Sequence, residues 1–148
     1  MSDYVFRLKG RWKGSWDGRG QIQVKNLASA ISVDSSMKGM GIGTNPDELL
    51  LGALASCYMM TLGIRLDKEK IAYERLLISS ELVVTKQGGL HVERVIHRPV
   101  VELAEKPTEA LRDRLKCAIR QAEKDCMIAK AVRGNVRITV EPIFTEKA

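Results

Sequence analysis

Three cysteines, Cys57, Cys117 and Cys126, are the side chains in this sequence best suited to redox or nucleophilic chemistry. The thiolate rather than the thiol is the reactive form, so the surroundings of each sulfur decide what it can do. Cys57 stands in Ala55-Ser56-Cys57-Tyr58-Met59-Met60, eleven residues after Pro46 and deep in an apolar stretch. There a free cysteine reads first as a small packed hydrophobe, with catalysis as the sharper alternative. Cys126 follows Asp125 at the junction of two helical segments, where the exposed N–H groups of a helix start would favour its thiolate. Cys117, in Leu115-Lys116-Cys117-Ala118, lies beside an amphipathic stripe and reads as helix packing.

Other chemistries find little support. The only histidines are His91 and His97, and neither Cys-x-x-Cys nor His-Glu-x-x-His occurs, so no metal and no other cofactor is expected. Gly39-Met40-Gly41-Ile42-Gly43 precedes a helix without the spacing or the partner acid of a dinucleotide fingerprint, and reads as a flexible entry loop. The net charge of +6 comes from 24 basic and 18 acidic residues that are interspersed along the chain. With few aromatics and no run of basic residues, this describes a solvated basic surface and not a nucleic-acid partner.

The elements that must position the cysteines can be read from local signals. At 148 residues the chain has the length of one domain, residues 1–148, with 45% hydrophobic and 28% charged residues, enough for a real core. Asn45, Pro46, Asp47 and Glu48 form an N-cap, a first-turn proline and a capping box, so a helix begins at Pro46. The uncharged stretch from Leu49 to Ile64 is shorter than the ~20 residues that cross a bilayer, so no membrane span is expected. Its apolar residues point in every direction around the helical wheel, which implies burial all round. One chain of this size cannot readily enclose such a helix, and a homodimer is the simplest solution.

Before this helix, Tyr4–Trp12, Gly20–Asn26 and Ala28–Val33 read as an amino-terminal antiparallel sheet. After it, Tyr73–Lys86 and His91–Leu103 are β-rich and joined through Gln87-Gly88-Gly89, a hairpin signal. Pro107 and Thr108 open an amphipathic helix with apolar Ala110, Leu111, Leu115, Ala118, Ile119 and Ala122; a short helical segment over 125–132 and a final strand through Val136, Ile138 and Val140 complete an α+β chain. The start Met1-Ser2-Asp3-Tyr4 lacks the pattern of a leader, so a cytoplasmic protein with reduced thiols is expected.

The run Thr44-Asn45-Pro46-Asp47-Glu48-Leu49-Leu50-Leu51-Gly52-Ala53-Leu54-Ala55-Ser56-Cys57 resembles the central-helix motif of the osmotically inducible protein C and organic hydroperoxide resistance family. That motif is Asn/Ser-Pro-acid-x-Leu, then small and apolar residues up to a cysteine. A second cysteine 65 to 70 residues later, in a helix shortly before a Val-rich strand, is matched by Cys126. The resemblance spans nearly the whole chain. It implies a two-lobed α+β fold with antiparallel sheets wrapped around a long buried central helix in an intertwined homodimer.

It also implies a thiol peroxidase that reduces organic hydroperoxides. Cys57 would attack, Cys126 would resolve it as a disulfide, and an arginine held by an acid would activate the site. Asp47, one methylene shorter than the glutamate common in the family, and its neighbour Glu48 are the candidate acids. Arg19, in Asp17-Gly18-Arg19-Gly20, is the candidate arginine, with Lys38 and Arg65 as rivals. Cys126-Met127-Ile128 stands where the family commonly has Cys-Pro-Val. Asp47 and Cys57, ten residues apart, are separated by about 15 Å along one helix, so the acid would have to act across a dimer interface. The implied partners are an organic hydroperoxide and an external dithiol reductant such as a lipoylated protein. Two further readings stay open: an apolar-ligand-binding module of the same fold, in which Cys57 is only packed, and an acyl-thioesterase using Asp47 or Glu48.

Overall fold

Asn45 sets the start of the longest element, α1 (Pro46–Lys68). Its side-chain oxygen accepts the Glu48 N–H at 2.9 Å, and Glu48 Oε1 accepts from Asn45 Nδ2 at 3.2 Å and from the Thr44 hydroxyl at 3.0 Å. This closes the capping box that the sequence motif anticipates. The computed structural model describes residues 3–144; Met1 and Ser2, on which the reading of the amino terminus partly rests, lie outside them. The chain divides into two compact units, Met1–Leu49 and Leu50–Ala148.

The first unit is an antiparallel sheet of β1 (Lys9–Lys13), β2 (Arg19–Val24) and β3 (Leu27–Ile31), with β2 in the centre. β1 begins later than the β-rich run from Tyr4 predicts. Lys9 already pairs with Gln23, and beyond Val24 the chain turns through Lys25 and Asn26, so among the described residues Tyr4–Leu8 has no strand beside it. The Gly39–Gly43 segment is not the flexible loop anticipated. Buried Ser32 donates its hydroxyl to the Ile42 carbonyl at 2.8 Å and accepts the Ile42 N–H at 2.6 Å, and the Thr44 N–H reaches the Ala30 carbonyl at 2.9 Å. Gly43 is left-handed, with φ 70°, and a Cβ there would lie 2.0 Å from the Ala30 carbonyl oxygen.

The second unit carries most of α1, then β4 (Tyr73–Thr85), β5 (His91–Leu103), α2 (Glu109–Asp125), α3 (Met127–Val132) and β6 (Arg137–Val140). β4 and β5 form the anticipated hairpin. β6 adds to β5 in parallel, so this sheet is mixed and not purely antiparallel. The crossover through α2 and α3 is the kind of connection a parallel neighbour requires. Thr108 caps α2 by accepting the Leu111 N–H at 3.1 Å. Leu115, Ala118, Ile119 and Ala122 are buried, Leu111 half-buried and Ala110 exposed.

Two apolar clusters hold this unit. In one, Tyr58, Leu62 and Leu66 of α1 pack with Ile71, Val101, Leu115 and Ile119; in the other, Leu54 packs with Val95, Cys126 and Ala129. Within one chain α1 is therefore buried along one stripe, Leu54, Tyr58, Leu62 and Leu66. Met60 remains 68% and Ile64 57% exposed on the other side. Its length and apolarity would let α1 cross a membrane, but this stripe is the core of the unit, as in the central helix of a globular fold.

Candidate active site

Cys57 is half-buried on α1 and Cys126 is 1% exposed, and the two pack in one apolar cluster with Leu54, Val95 and Ala129. Cys126 occupies the break between α2 and α3. Its N–H closes α2 on the Ala122 carbonyl at 3.0 Å, and its carbonyl accepts the Lys130 N–H at 3.1 Å as the first bond of α3. Tyr58, next to Cys57, is buried and donates its hydroxyl to the Ile119 carbonyl at 2.9 Å, which fixes the rotation of α1 against α2. Its ring stacks on His97 with centroids 5.1 Å apart, and His97 Nδ1 lies 2.7 Å from the Ser80 hydroxyl.

The two sulfurs differ in charge preference. Burial pushes the Cys57 thiol up, but hydrogen bonding from the Ile128 N–H, the Cys126 thiol, the Thr61 hydroxyl and the Met127 N–H outweighs it and holds the thiol below its usual value. The Thr61 hydroxyl is 3.9 Å from Cys57 Sγ, one helical turn along. Met127 and Ile128 are in the first turn of α3, whose N–H groups have no partner inside that helix. Cys126 goes the other way. Burial first, and then its hydrogen bond to Cys57, push it up to about 11, against weaker help from the Ala129 and Ile128 N–H groups. Of the two, Cys57 is thus the sulfur whose thiolate is favoured and Cys126 the one held as the thiol. The anticipated gain of Cys126 from the helix start is present, through the Ala129 and Ile128 N–H groups, but burial outweighs it. Cys126 is the N-cap residue but makes no side-chain capping bond, and the first-turn N–H groups of α3 act on both sulfurs, Ile128 and Met127 on Cys57 and Ala129 and Ile128 on Cys126.

The other candidates lie apart in the sequence and serve different local structures. Arg19 opens β2 and is exposed between two glycines. A Cβ at Gly18 would fall 2.5 Å from the Lys13 carbonyl oxygen and 2.7 Å from the Trp12 ring, and one at Gly20 would fall 2.1 Å from the Arg11 carbonyl oxygen. Close packing therefore demands a glycine on each side of Arg19. Glu48 is committed to the helix cap, whereas half-buried Asp47, among the described residues, has no hydrogen-bond or ion-pair partner. Arg19 forms no ion pair with either acid among the described residues. Lys38 takes the left-handed position that ends the 3-10 turn Ser35–Met37. Arg65 is ion-paired to Asp125, with Nη2 2.7 Å from Oδ2. Cys117 is exposed and not packed, because it falls on the wet side of α2.

Sequence reasoning missed Thr61 and the first-turn N–H groups of α3. Thr61 carries a weak signal, its i+4 spacing from Cys57; the N–H groups carry none, since they belong to the backbone. No group of three or more His, Cys, Asp or Glu side chains able to hold a metal occurs among the described residues.

Residues 38–141 match the family model described as OsmC-like protein. YmaD of Bacillus subtilis is 39% identical over 145 residues, covering 95% of each chain. The organic hydroperoxide resistance protein of Xanthomonas axonopodis pv. citri is 29% identical over 132 residues, 86% of this chain and 87% of that one. Among solved structures, an OsmC-like protein of Vibrio cholerae superposes with a TM-score of 0.79 at 19% identity, over 97% of this chain and all of the other, and so shares the fold.

Proposed function

The chain belongs to the OsmC-like family, and from that premise we propose that it is a thiol peroxidase that reduces organic hydroperoxides through Cys57 and Cys126. The observation that carries this reading is the meeting of two cysteines of opposite charge preference, one lowered and half-accessible, the other raised and buried. A relative named for organic hydroperoxide resistance supports the substrate class.

In the first step the Cys57 thiolate attacks the distal oxygen of ROOH. An S–O bond forms, the O–O bond breaks, and RO⁻ leaves to take a proton as ROH; Cys57 is oxidised to the sulfenic acid. The negative charge that helped raise Cys126 is now gone, so its proton comes off more easily. In the second step the Cys126 sulfur attacks the sulfenic sulfur. An S–S bond forms, the S–O bond breaks, and the hydroxyl leaves with a proton as water. An external dithiol, such as a lipoylated protein, returns both cysteines to thiols by exchange. Arg19 is the activating cation of this reading and Asp47 its carboxylate, since Glu48 is held by the helix cap. Leu50, Leu51 and Ile128, packed in the same cluster as Cys57, favour an alkyl over a hydrogen peroxide.

In this reading the protein works as a homodimer in a reducing compartment, the cytoplasm. The support for the dimer is the face of α1 opposite its core stripe, where Met60 and Ile64 stand exposed.

The test is turnover of cumene hydroperoxide with a dithiol. Cys57→Ser is expected to lose more than about a thousandfold in rate, as when a nucleophile is removed. Cys126→Ser is expected to consume one equivalent, form no disulfide and then over-oxidise. Loss of a positive charge in Arg19→Gln should slow the first step alone. A wild-type protein that forms no Cys57–Cys126 disulfide after one equivalent of peroxide would sink the reading and leave the apolar-ligand-binding alternative.

A further inference from the structure

Cys126 occupies a break between two helices, where its own backbone is extended, with φ −61° and ψ 116°. Such a junction needs something besides its two terminal hydrogen bonds to hold its direction. Asp125, the preceding residue, is gripped through both carboxylate oxygens. Oδ2 takes Arg65 Nη2 at 2.7 Å and Oδ1 takes Gln121 Nε2 at 3.0 Å. Arg65 belongs to α1 and sits two turns after Cys57, with Thr61 between them at i+4 steps. Helical side chains lean toward the N-terminus, so the long arm of Arg65 reaches back toward the turn that carries Cys57. The α2–α3 junction is thereby tied to α1 at two adjacent residues: by charge at Asp125 and by packing against Cys57 and Leu54 at Cys126.

We propose that the Arg65–Asp125 ion pair is the positioning device that keeps Cys126 within bonding reach of Cys57 during disulfide closure, an inference that rests on the thiol-peroxidase reading for its biological use. Once Cys57 is a sulfenic acid, the thiolate-to-thiol hydrogen bond between the sulfurs is lost. The Arg65–Asp125 pair is an ion pair that still joins α1 to the junction. A disulfide tolerates only a narrow range of Cα separations, about 4.4–6.8 Å, so a small swing of the junction takes Cys126 out of range. Arg65 touches neither sulfur, and its role is positional.

Two measurements on the full-length protein with Cys117→Ser test this. The first is the equilibrium of the Cys57–Cys126 disulfide against glutathione, which reads how well the thiols are placed without any peroxide. Arg65→Gln and Asp125→Asn are each expected to lower the effective concentration about tenfold, within the cost of a displacement near an ångström. The double variant should be no worse than either single one, and Arg65→Lys, which keeps the charge, should recover part of the loss. Glu69→Gln, which removes only the longer 3.7 Å partner of Arg65, should change nothing.

The second is a single turnover with cumene hydroperoxide. The Cys57 oxidation rate should stay within about twofold, while closure slows about tenfold and dimedone traps more sulfenic acid. Arg65 and Asp125 are partly exposed, so the variants are expected to fold, and a thermal melt verifies this. If either Arg65→Gln or Asp125→Asn leaves the glutathione equilibrium at the wild-type value, the positioning role is overturned. If wild-type Cys57 does not react with peroxide, the peroxidase reading fails, while the glutathione equilibrium still decides the positioning.

Discussion

Cys57 and Cys126 carry the same side chain and shift in opposite directions because burial prevails at Cys126, whereas at Cys57 the hydrogen bonds it receives outweigh burial. Alkylation rates against pH, read by mass spectrometry in a Cys117→Ser background, should show Cys57 half-reactive below the ordinary thiol value. Cys126→Ala should move that midpoint upward, because a donor is lost, and Cys126→Ser should move it less. In Cys57→Ala, Cys126 should titrate below its present value of about 11 but still above an ordinary thiol, since burial, its largest cause, remains. The stability sign follows for Cys126. Its folded value is raised, so its contribution is whole below pH about 9, the unfolded thiol value, and is lost as pH rises toward about 11. An unchanged Cys57 midpoint in Cys126→Ala would remove the donor role of Cys126. The two cysteines themselves were legible from motif and spacing, but their division of charge was not. It depends on the backbone N–H groups of Met127 and Ile128, and on a side-chain meeting across 69 residues of chain.

At the scale of elements, what was readable was local. The start of α1 lies in four consecutive residues, and the hairpin of β4 and β5 in its glycine-rich turn. The late start of β1 and the parallel placement of β6 were not readable, because each depends on where a distant strand ends or a crossover returns. The cap also separates two adjacent acids. Asn45→Ala should cost about 1 kcal/mol in chemical denaturation, whereas Asp47→Ala should leave stability within about 0.5 kcal/mol and reduce peroxide turnover. The reverse outcome would assign Asp47 to the fold and not to the chemistry.

The junction of β5 with α1 offers a second prediction. His97 is 2% exposed, and burial, opposed only in part by Glu123, keeps its ring neutral below the usual pH. A base whose folded value is lowered adds stability above the unfolded value of about 6.5 and loses it as pH falls through the folded value. Unfolding free energy should therefore fall from pH 7 toward pH 5 more steeply in wild type than in His97→Gln. Parallel pH profiles would show that His97 is not the group responsible.

For the molecule as a whole, the helical wheel of α1 and the core of one chain disagree, and the disagreement is informative. Composition places apolar residues on every side of the helix, but the chain's own core takes only the Leu54, Tyr58, Leu62 and Leu66 stripe. At 100° per residue, Ala53, Ser56, Met60 and Ile64 fall on the opposite side, small residues followed by large apolar ones, and nothing in a single chain requires them there. A second copy packing this face against its own equivalent would bury Met60 and Ile64 and let the small residues bring the two helices close. Sedimentation should therefore give twice the 16.5 kDa of one chain. Met60→Glu with Ile64→Glu should shift the protein to the monomer, because two carboxylates would meet two more across the two-fold axis and none could leave water cheaply. Single Met60→Ala should only weaken the dimer, by about 1–3 kcal/mol of lost apolar burial. If the double glutamate variant sediments as wild type does, α1 is not the interface.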